Sequence, residues 1–518
     1  MTEIVFKRSM SLGTICAEND DEFLKSCFLE TPEYNELCDF KNRKMILLGR
    51  TGTGKTALLN EIKNKVDYYI PIKPDMFAMQ YIASVPFVKR LVDEGINLDI
   101  LYKFLWLHEI ISQIIKNYFS YQKKKFLDEL IKMVKDVGRL NQLKKYVDEY
   151  DGVFFDEGIS EKITNELQSH VATVVGSDIA KLEGKLSDTQ RQEIQIKASQ
   201  YINKKQISQL KNIISIFKEY FSNNRQKKIV VVIDNLDDKW VESNSKYKLI
   251  DALLTAMKEF SDIINLKILI AMRADLLAKT CEVTKRQNEK DGSFTLKLDW
   301  NPQMLEELLN KRVAHLFAYK YKKQTNLTFK DIFKINVKGT TALNYIVDRS
   351  MMRPRDLISF VNLCLIEADG KTTITEENIL SAELNYKKER LQALDHEWSN
   401  IYGNIEGYIN ILYHLGNKFK YMDLINNKYN EISEMIFEYF KDCDMQLKND
   451  FKYSESQTSY AREQNIRKLL NVMYTIGLIG IKTKNSDIVK YATPFAASLT
   501  ALDYNENIEF CIYPLFAK

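Results

Sequence analysis

Glycine and proline are both scarce in this 518-residue chain, at 18 and 8 residues, about 3.5% and 1.5% against typical values near 7% and 5%. So few chain breakers predict long helices and few tight turns, and count against an all-β architecture. Histidine is scarcer, at five residues, and no H-x-x-x-H pair occurs. The cysteines (Cys16, Cys27, Cys38, Cys281, Cys364, Cys443 and Cys511) are odd in number, and no two are spaced C-x-x-C. Neither a disulfide framework nor a zinc cluster is indicated, and reduced thiols in a cytosol are expected. Long hydrophobic runs are missing too. The most apolar stretch, Ile263–Met272, holds Asn265 and Lys267 and is half the roughly 20 residues a bilayer needs. The start has Lys7-Arg8, a run broken by hydroxyl residues, and Ala17, but no leucine-rich core, so no signal peptide is read there. Charge of one sign is also lacking: 74 Lys+Arg face 70 Asp+Glu, a net of +4. That excludes bulk electrostatic attraction to nucleic acid and leaves only local patches. A cytoplasmic protein without membrane contact is expected.

The composition is that of a globular protein, 45% hydrophobic and 28% charged, with room for three or four domains. Residues 1–44 read as a lead-in. Apolar runs at residues 45–48, 66–72, 229–233 and 266–271 read as strands alternating with helices, the pattern of a mainly parallel α/β sheet. The expected core is therefore residues 45–100 and 226–300. Residues 101–225 carry apolar residues three and four apart and predict a helical insertion; Gly158 to Ser199 is its most polar part and reads as a mobile segment or interaction arm. Residues 301–397 predict an all-helical lid. Residues 398–518 include a helix (Arg462 to Tyr474) and strand-like runs at 478–482 and 487–492, resembling a winged helix. Phe510–Phe516 reads as a core edge strand.

Gly49-Arg50-Thr51-Gly52-Thr53-Gly54-Lys55-Thr56 matches G-x-x-x-x-G-K-[ST] at every fixed position, after an apolar strand and before a helix. Glycines let the backbone curl so that its N–H groups face phosphate oxygens, and the helix N-terminus adds positive charge. Lys55 can reach β- and γ-phosphates, and the Thr56 hydroxyl can ligate Mg²⁺. In Ile229–Asp238, IVVVIDNLDD, Asp234 ends a buried strand where a P-loop fold needs its second Mg²⁺ carboxylate. Asp237 or Asp238 could polarise the attacking water, and spacing does not choose between them. Arg273 ends the next buried strand and could sense a γ-phosphate, or form an ordinary ion pair. In Met352-Arg353-Pro354-Arg355-Asp356, proline suits a first helical turn; Arg353 or Arg355 could reach nucleotide from the lid. In the tail, Lys482, Lys484 and Lys490 line the expected wing, with Arg467 and Lys468 on the helix before it. That patch would suit phosphates or a protein surface.

With these motifs in order, the chain resembles an AAA+-related P-loop ATPase of the STAND/KAP type. Asp234-Asn235-Leu236-Asp237-Asp238 is similar to the hhhh-D-x-x-D form of the second motif, although AAA+ proteins more usually carry Asp-Glu where Asp234-Asn235 stands. Leu298-Asp299-Trp300 and Arg353–Asp356 resemble the lid. Ala17-Glu18-Asn19-Asp20, Phe28 and the Tyr386 to Trp398 stretch look like a bacterial family of single-chain P-loop ATPases often found among phage-defence genes. The resemblance implies ATP and Mg²⁺ as ligands and hydrolysis to ADP and phosphate, slow without a partner or oligomer. Asn64-Lys65-Val66-Asp67 matches N-K-x-D but closes the helix after the P-loop, so ATP is preferred to GTP. About 180 residues separate Lys55 from Asp234, far beyond one β-α-β step of roughly 30.

The leading expectation is an ATP-driven switch whose nucleotide state controls oligomerisation or partner engagement, with the insertion contacting a protein partner or a second copy. Two others stand beside it. One is an AAA+ DNA loader or initiator that uses the tail, and so nucleic acid as a partner. The other is an ATP-binding scaffold that never hydrolyses, suggested by Asn235.

Overall fold

The structure, a computed structural model, describes residues 4–74, 85–118, 134–150, 158–176, 185–223, 227–237, 243–321, 327–441, 446–452, 458–493 and 498–518. By contacts the chain divides into two compact units. A sheet unit comprises Glu30–Leu48 and Leu58–Lys297. A carboxyl-terminal unit comprises Met1–Leu29, Gly49–Ala57 and Leu298–Lys518.

In the sheet unit, five strands are ordered β2-β3-β4-β1-β5: β1 (Ile46–Gly49), β2 (Tyr68–Ile72), β3 (Ile229–Ile233), β4 (Leu266–Arg273) and β5 (Thr295–Lys297). β2 pairs with β3, β3 with β4, and β1 with β5, all parallel. Every residue of β3 and β4 is buried, as expected of a parallel sheet covered on both faces. Even Lys267, the second residue of β4, is buried; its Nζ donates to the carbonyls of Leu37 and Asp39 at 2.9 and 3.0 Å. Those close the short helix Pro32–Cys38, so the cation satisfies a helix C-terminus. Burial pushes its pKa down to about 8.

Helix Asp99–Tyr118 is the unit's central prop. Thirteen of its residues are buried, including Trp106, whose indole N–H donates to Leu249 O at 2.8 Å on helix Ser243–Ala256. Among the described residues, the polar arm read at 158–199 holds the helices Gly158–Val175 and Asp188–Tyr201, the latter entered by a Ser187/Gln190 capping box. A π-helical turn, Ile202–Ile207, follows and places buried Gln206 among the hydroxyls of Tyr146, Tyr150 and Tyr201.

The carboxyl-terminal unit has long helices, Pro302–Tyr321, Pro354–Glu367 and Glu376–Tyr402. The segment read as all-helical also holds a hairpin, β6 (Asn336–Val337) and β7 (Thr340–Thr341). Lys338 and Gly339, both at positive φ (45° and 83°), turn it, the geometry two-residue hairpins favour. The N-terminal segment packs here: buried Asp20 pairs with buried Arg312 at 2.7 Å, and Phe6 N donates to Lys371 O at 2.9 Å.

Farther along lie β8 (Lys418–Lys420), β9 (Ile479–Thr483), β10 (Val489–Lys490) and β11 (Ile508–Ile512), in the order β10-β9-β11-β8 and antiparallel throughout. Helix Ser459–Ile476 precedes β9. β11 pairs on both sides, so the closing strand read as an edge is interior. Its partner β8 is three residues with one buried, too short to announce itself. Among the described residues, no helix is long and apolar enough to cross a membrane.

Candidate nucleotide-binding site

The residues singled out from the sequence fall on both units. Gly49–Thr56 joins β1 to helix Lys55–Lys63 and belongs, by its contacts, to the carboxyl-terminal unit. Gly52 and Gly54 have φ of 81° and 89°, which side-chain-bearing residues rarely adopt. Thr53 Oγ1 donates to Arg50 O at 2.8 Å, closing the turn. Lys55 Nζ lies 3.3 and 3.2 Å from the carbonyls of Gly49 and Arg50, folded back along the loop. Thr51 Oγ1 is buried without a hydrogen-bond partner among the described residues. Thr56 stands in the first helical turn, half-buried.

Other segments of the same unit hold this loop. Trp300 Nε1 donates to Thr53 O at 2.8 Å, and Arg355 N donates to Gly52 O at 3.3 Å. The Arg50 side chain turns away from the loop and donates to backbone carbonyls of Ile476 (2.8 Å) and Ala492 (2.9 Å). A guanidinium beside a helix C-terminus satisfies carbonyls that the helix leaves open.

The two lid arginines separate. Arg353 is 1% exposed; its Nη1 reaches Glu397 at 3.4 Å and its Nε lies 3.9 Å from Asp356. Asp356 also bonds Arg390. Arg353 is thus committed to a buried charge network. Arg355 is half-buried and has no ion pair among the described residues; a Cβ built on Gly52 would lie 3.2 Å from its Cβ. Arg353 Cδ lies 3.7 Å from the same point, so both arginines flank the loop and Arg355 is the one without an ion pair among the described residues.

In the sheet unit, Asp234 follows β3 and Arg273 ends the adjacent parallel strand β4. Asn235 is left-handed (φ 61°), and its N–H donates to Asp234 Oδ1 at 2.8 Å. Asparagine tolerates that backbone better than glutamate does. Asp237 is exposed. Arg273 makes a bidentate pair with Asp275 (3.0 and 2.9 Å) and sits 4.0 Å from Asp237. The ordinary ion pair read as the alternative for Arg273 is therefore present. Burial, then the charge of Asp234, pushes the Tyr69 phenol on β2 up to about 12. Asp238 lies outside the described residues.

Across the expected wing and the helix before it, three of the five basic residues have ion pairs among the described residues. Lys482 pairs with Asp487 at 3.0 Å, Lys468 with Asp450 at 2.6 Å, and Arg467 with Glu463 and the Tyr421 hydroxyl. Lys484 and Lys490 have no ion pair among the described residues.

Sequence reasoning gave no role to Trp300 beyond resemblance, and none to Glu397 or Arg390. Arg50's acceptors could not be found from residue types, because they are backbone carbonyls more than 400 residues away.

Residues 303–395 match the FunZ-associated C-terminal helical domain. A transposon gamma-delta 80.3 kDa protein of Escherichia coli (strain K12) is 21% identical over 532 residues, spanning 99% of this chain and 67% of that protein. The Aeropyrum pernix ORC2 protein, solved as ADPNP-ADP complexes, overlaps with a TM-score of 0.35 at 12% identity, covering 91% of this chain and 84% of that one.

Proposed function

We propose that this chain binds Mg·ATP at Gly49–Thr56, hydrolyses it slowly to ADP and phosphate, and acts as a nucleotide-dependent switch. One observation carries the reading: a complete G-x-x-x-x-G-K-T loop between a buried strand and a helix, with Gly52 and Gly54 left-handed. That backbone directs N–H groups at phosphate oxygens, and Lys55 adds a cation there. Thr56 and Asp234 offer a hydroxyl and a carboxylate, the hard oxygen donors Mg²⁺ takes, and bound Mg²⁺ would neutralise phosphate charge. Asp237 or Asp238 orients water. Arg355 and Arg273 report the γ-phosphate. The insertion is the surface offered to a protein partner or a second copy.

A scaffold that never hydrolyses is the second reading, favoured by the left-handed Asn235 in place of an acid. The DNA-loader reading draws on the winged-helix resemblance and on the name of the transposon protein, which describes that protein. Pairing of Lys482, Lys468 and Arg467 weighs against it. The STAND/KAP affiliation and an anti-phage role rest on the sequence resemblance alone.

The test is phosphate release from wild type and Asp237→Asn, with oligomeric size measured with and without Mg·ATP and with duplex DNA as one arm. Turnover with a nucleotide-dependent size change supports the switch. Stimulation by DNA alone supports the loader. ATP binding without phosphate release supports the scaffold.

A further inference from the structure

Arg50 occupies a position the loop motif leaves free, so phosphate binding makes no demand on its side chain. Its Nη2 donates to Ile476 O at 2.8 Å and to Thr475 O at 3.4 Å, and its Nη1 to Ala492 O at 2.9 Å. Helix Ser459–Ile476 explains the first two contacts. Gly477 N donates to Tyr474 O and Leu478 N to Met473 O, both at 2.9 Å, which closes part of the helix end. The carbonyls of Thr475 and Ile476 are the ones Arg50 takes, and the negative end of the helix dipole favours a cation there.

The third contact joins a different segment. Ala492 follows β10, on the far side of the hairpin that starts with β9. One guanidinium thus ties the phosphate loop to both ends of the β9–β10 hairpin. The room for it depends on residue 477. Gly477 is left-handed (φ 94°), and a Cβ there would fall 2.9 Å from Arg50 Nη2 and 2.8 Å from Met351 Cε. Trp300 and Arg355 meanwhile hold the carbonyls of Thr53 and Gly52. The loop is therefore gripped by its backbone on one side and reaches out through Arg50 on the other.

We propose that Arg50 is a positioning residue that couples nucleotide occupancy of the loop to the β9–β10 hairpin. The proposal rests on the ATP-binding reading and adds its route of regulation. Filling the loop with phosphates shifts the Arg50 backbone, and the guanidinium carries that shift to the helix end and to Ala492. Coupling is reciprocal, so a partner that engages the hairpin changes nucleotide affinity by the same factor.

The experiment measures amide hydrogen exchange of residues 477–492 in the full chain, with and without Mg·ATPγS, alongside direct measurement of bound ATPγS. In wild type, ATPγS should change exchange there by about tenfold, and in Arg50→Ala by less than about twofold. Arg50→Lys, which keeps a cation but not the fork, should recover part of the response. Gly477→Ala should reproduce the loss while leaving every loop residue in place. An undiminished response in an Arg50→Ala variant that binds ATPγS would overturn the coupling. Wild type that binds no ATPγS would overturn the nucleotide reading and the coupling with it.

Discussion

The phosphate loop and the acidic turn both follow buried strands, yet they are built from different material. Gly49–Thr56 is a backbone object. Its two left-handed glycines, its internal Thr53–Arg50 bond and the donors on Gly52 O and Thr53 O fix the path of the main chain. Asp234–Asp237 is a side-chain object. One left-handed asparagine sets the path, its N–H donates to Asp234, and Asp237 is exposed with Arg273 4.0 Å away. A site made of backbone is written in spacing, because few residue types tolerate its dihedrals. A site made of side chains is written only in residue type, and several carboxylates can satisfy it.

This contrast sets the order of the expected effects. Asp234→Asn should lower turnover about a thousandfold by removing a Mg²⁺ ligand, while ATP binding falls less than about tenfold. Equal losses in both would mean that the acid turn, like the loop, holds nucleotide. Asp237→Asn should lower turnover about a hundredfold if it orients the water. Unchanged turnover would pass that role to Asp238. Next comes Arg355→Ala, expected to weaken Mg·ATP binding about tenfold without loss of thermal stability, as befits a half-buried arginine with no ion pair among the described residues. Arg353→Ala should instead destabilise the fold, because it leaves Glu397 buried without its cation. Reversed phenotypes would reassign the loop-facing arginine.

The smallest effect on activity should come from a buried ion-pair cluster elsewhere in the sheet unit. Asp291 is fully buried in the sheet unit between Arg286 and Lys258. Burial alone would raise its pKa, but hydrogen bonds from Arg286 and Lys258 outweigh that and hold the carboxyl below its ordinary 3.8. A folded pKa below the unfolded one means stabilisation that is complete above about pH 4 and is withdrawn as pH falls below it. Asp291→Asn should cost about 3 kcal/mol at neutral pH. It should also flatten the acid limb of a melting-temperature profile, with ATP affinity unchanged. An unaltered acid limb would show that other carboxylates set it.

How much could be read in advance follows the same line. β3 announces itself as a β-branched run, β4 as a mostly apolar one, and the loop as a fixed spacing. β5 does not, being three residues with only Leu296 buried, and the β6–β7 hairpin hides behind Lys338-Gly339 inside a helical pattern. The choice between Arg353 and Arg355 needed the acids Glu397 and Asp356, which only folding brings to Arg353. Arg50's role was illegible for a simpler reason: any residue supplies a carbonyl, so no residue type marks the acceptors.

The central claim is that Gly49–Thr56 holds the phosphates of ATP through its backbone and Lys55. Equilibrium dialysis of labelled ATP with Mg²⁺ against wild type and Lys55→Ala tests it most directly. The account predicts saturable binding to wild type, weakened about a hundredfold by Lys55→Ala through loss of a charge-assisted contact. Equal affinity in the two proteins, or no binding to wild type, would contradict it.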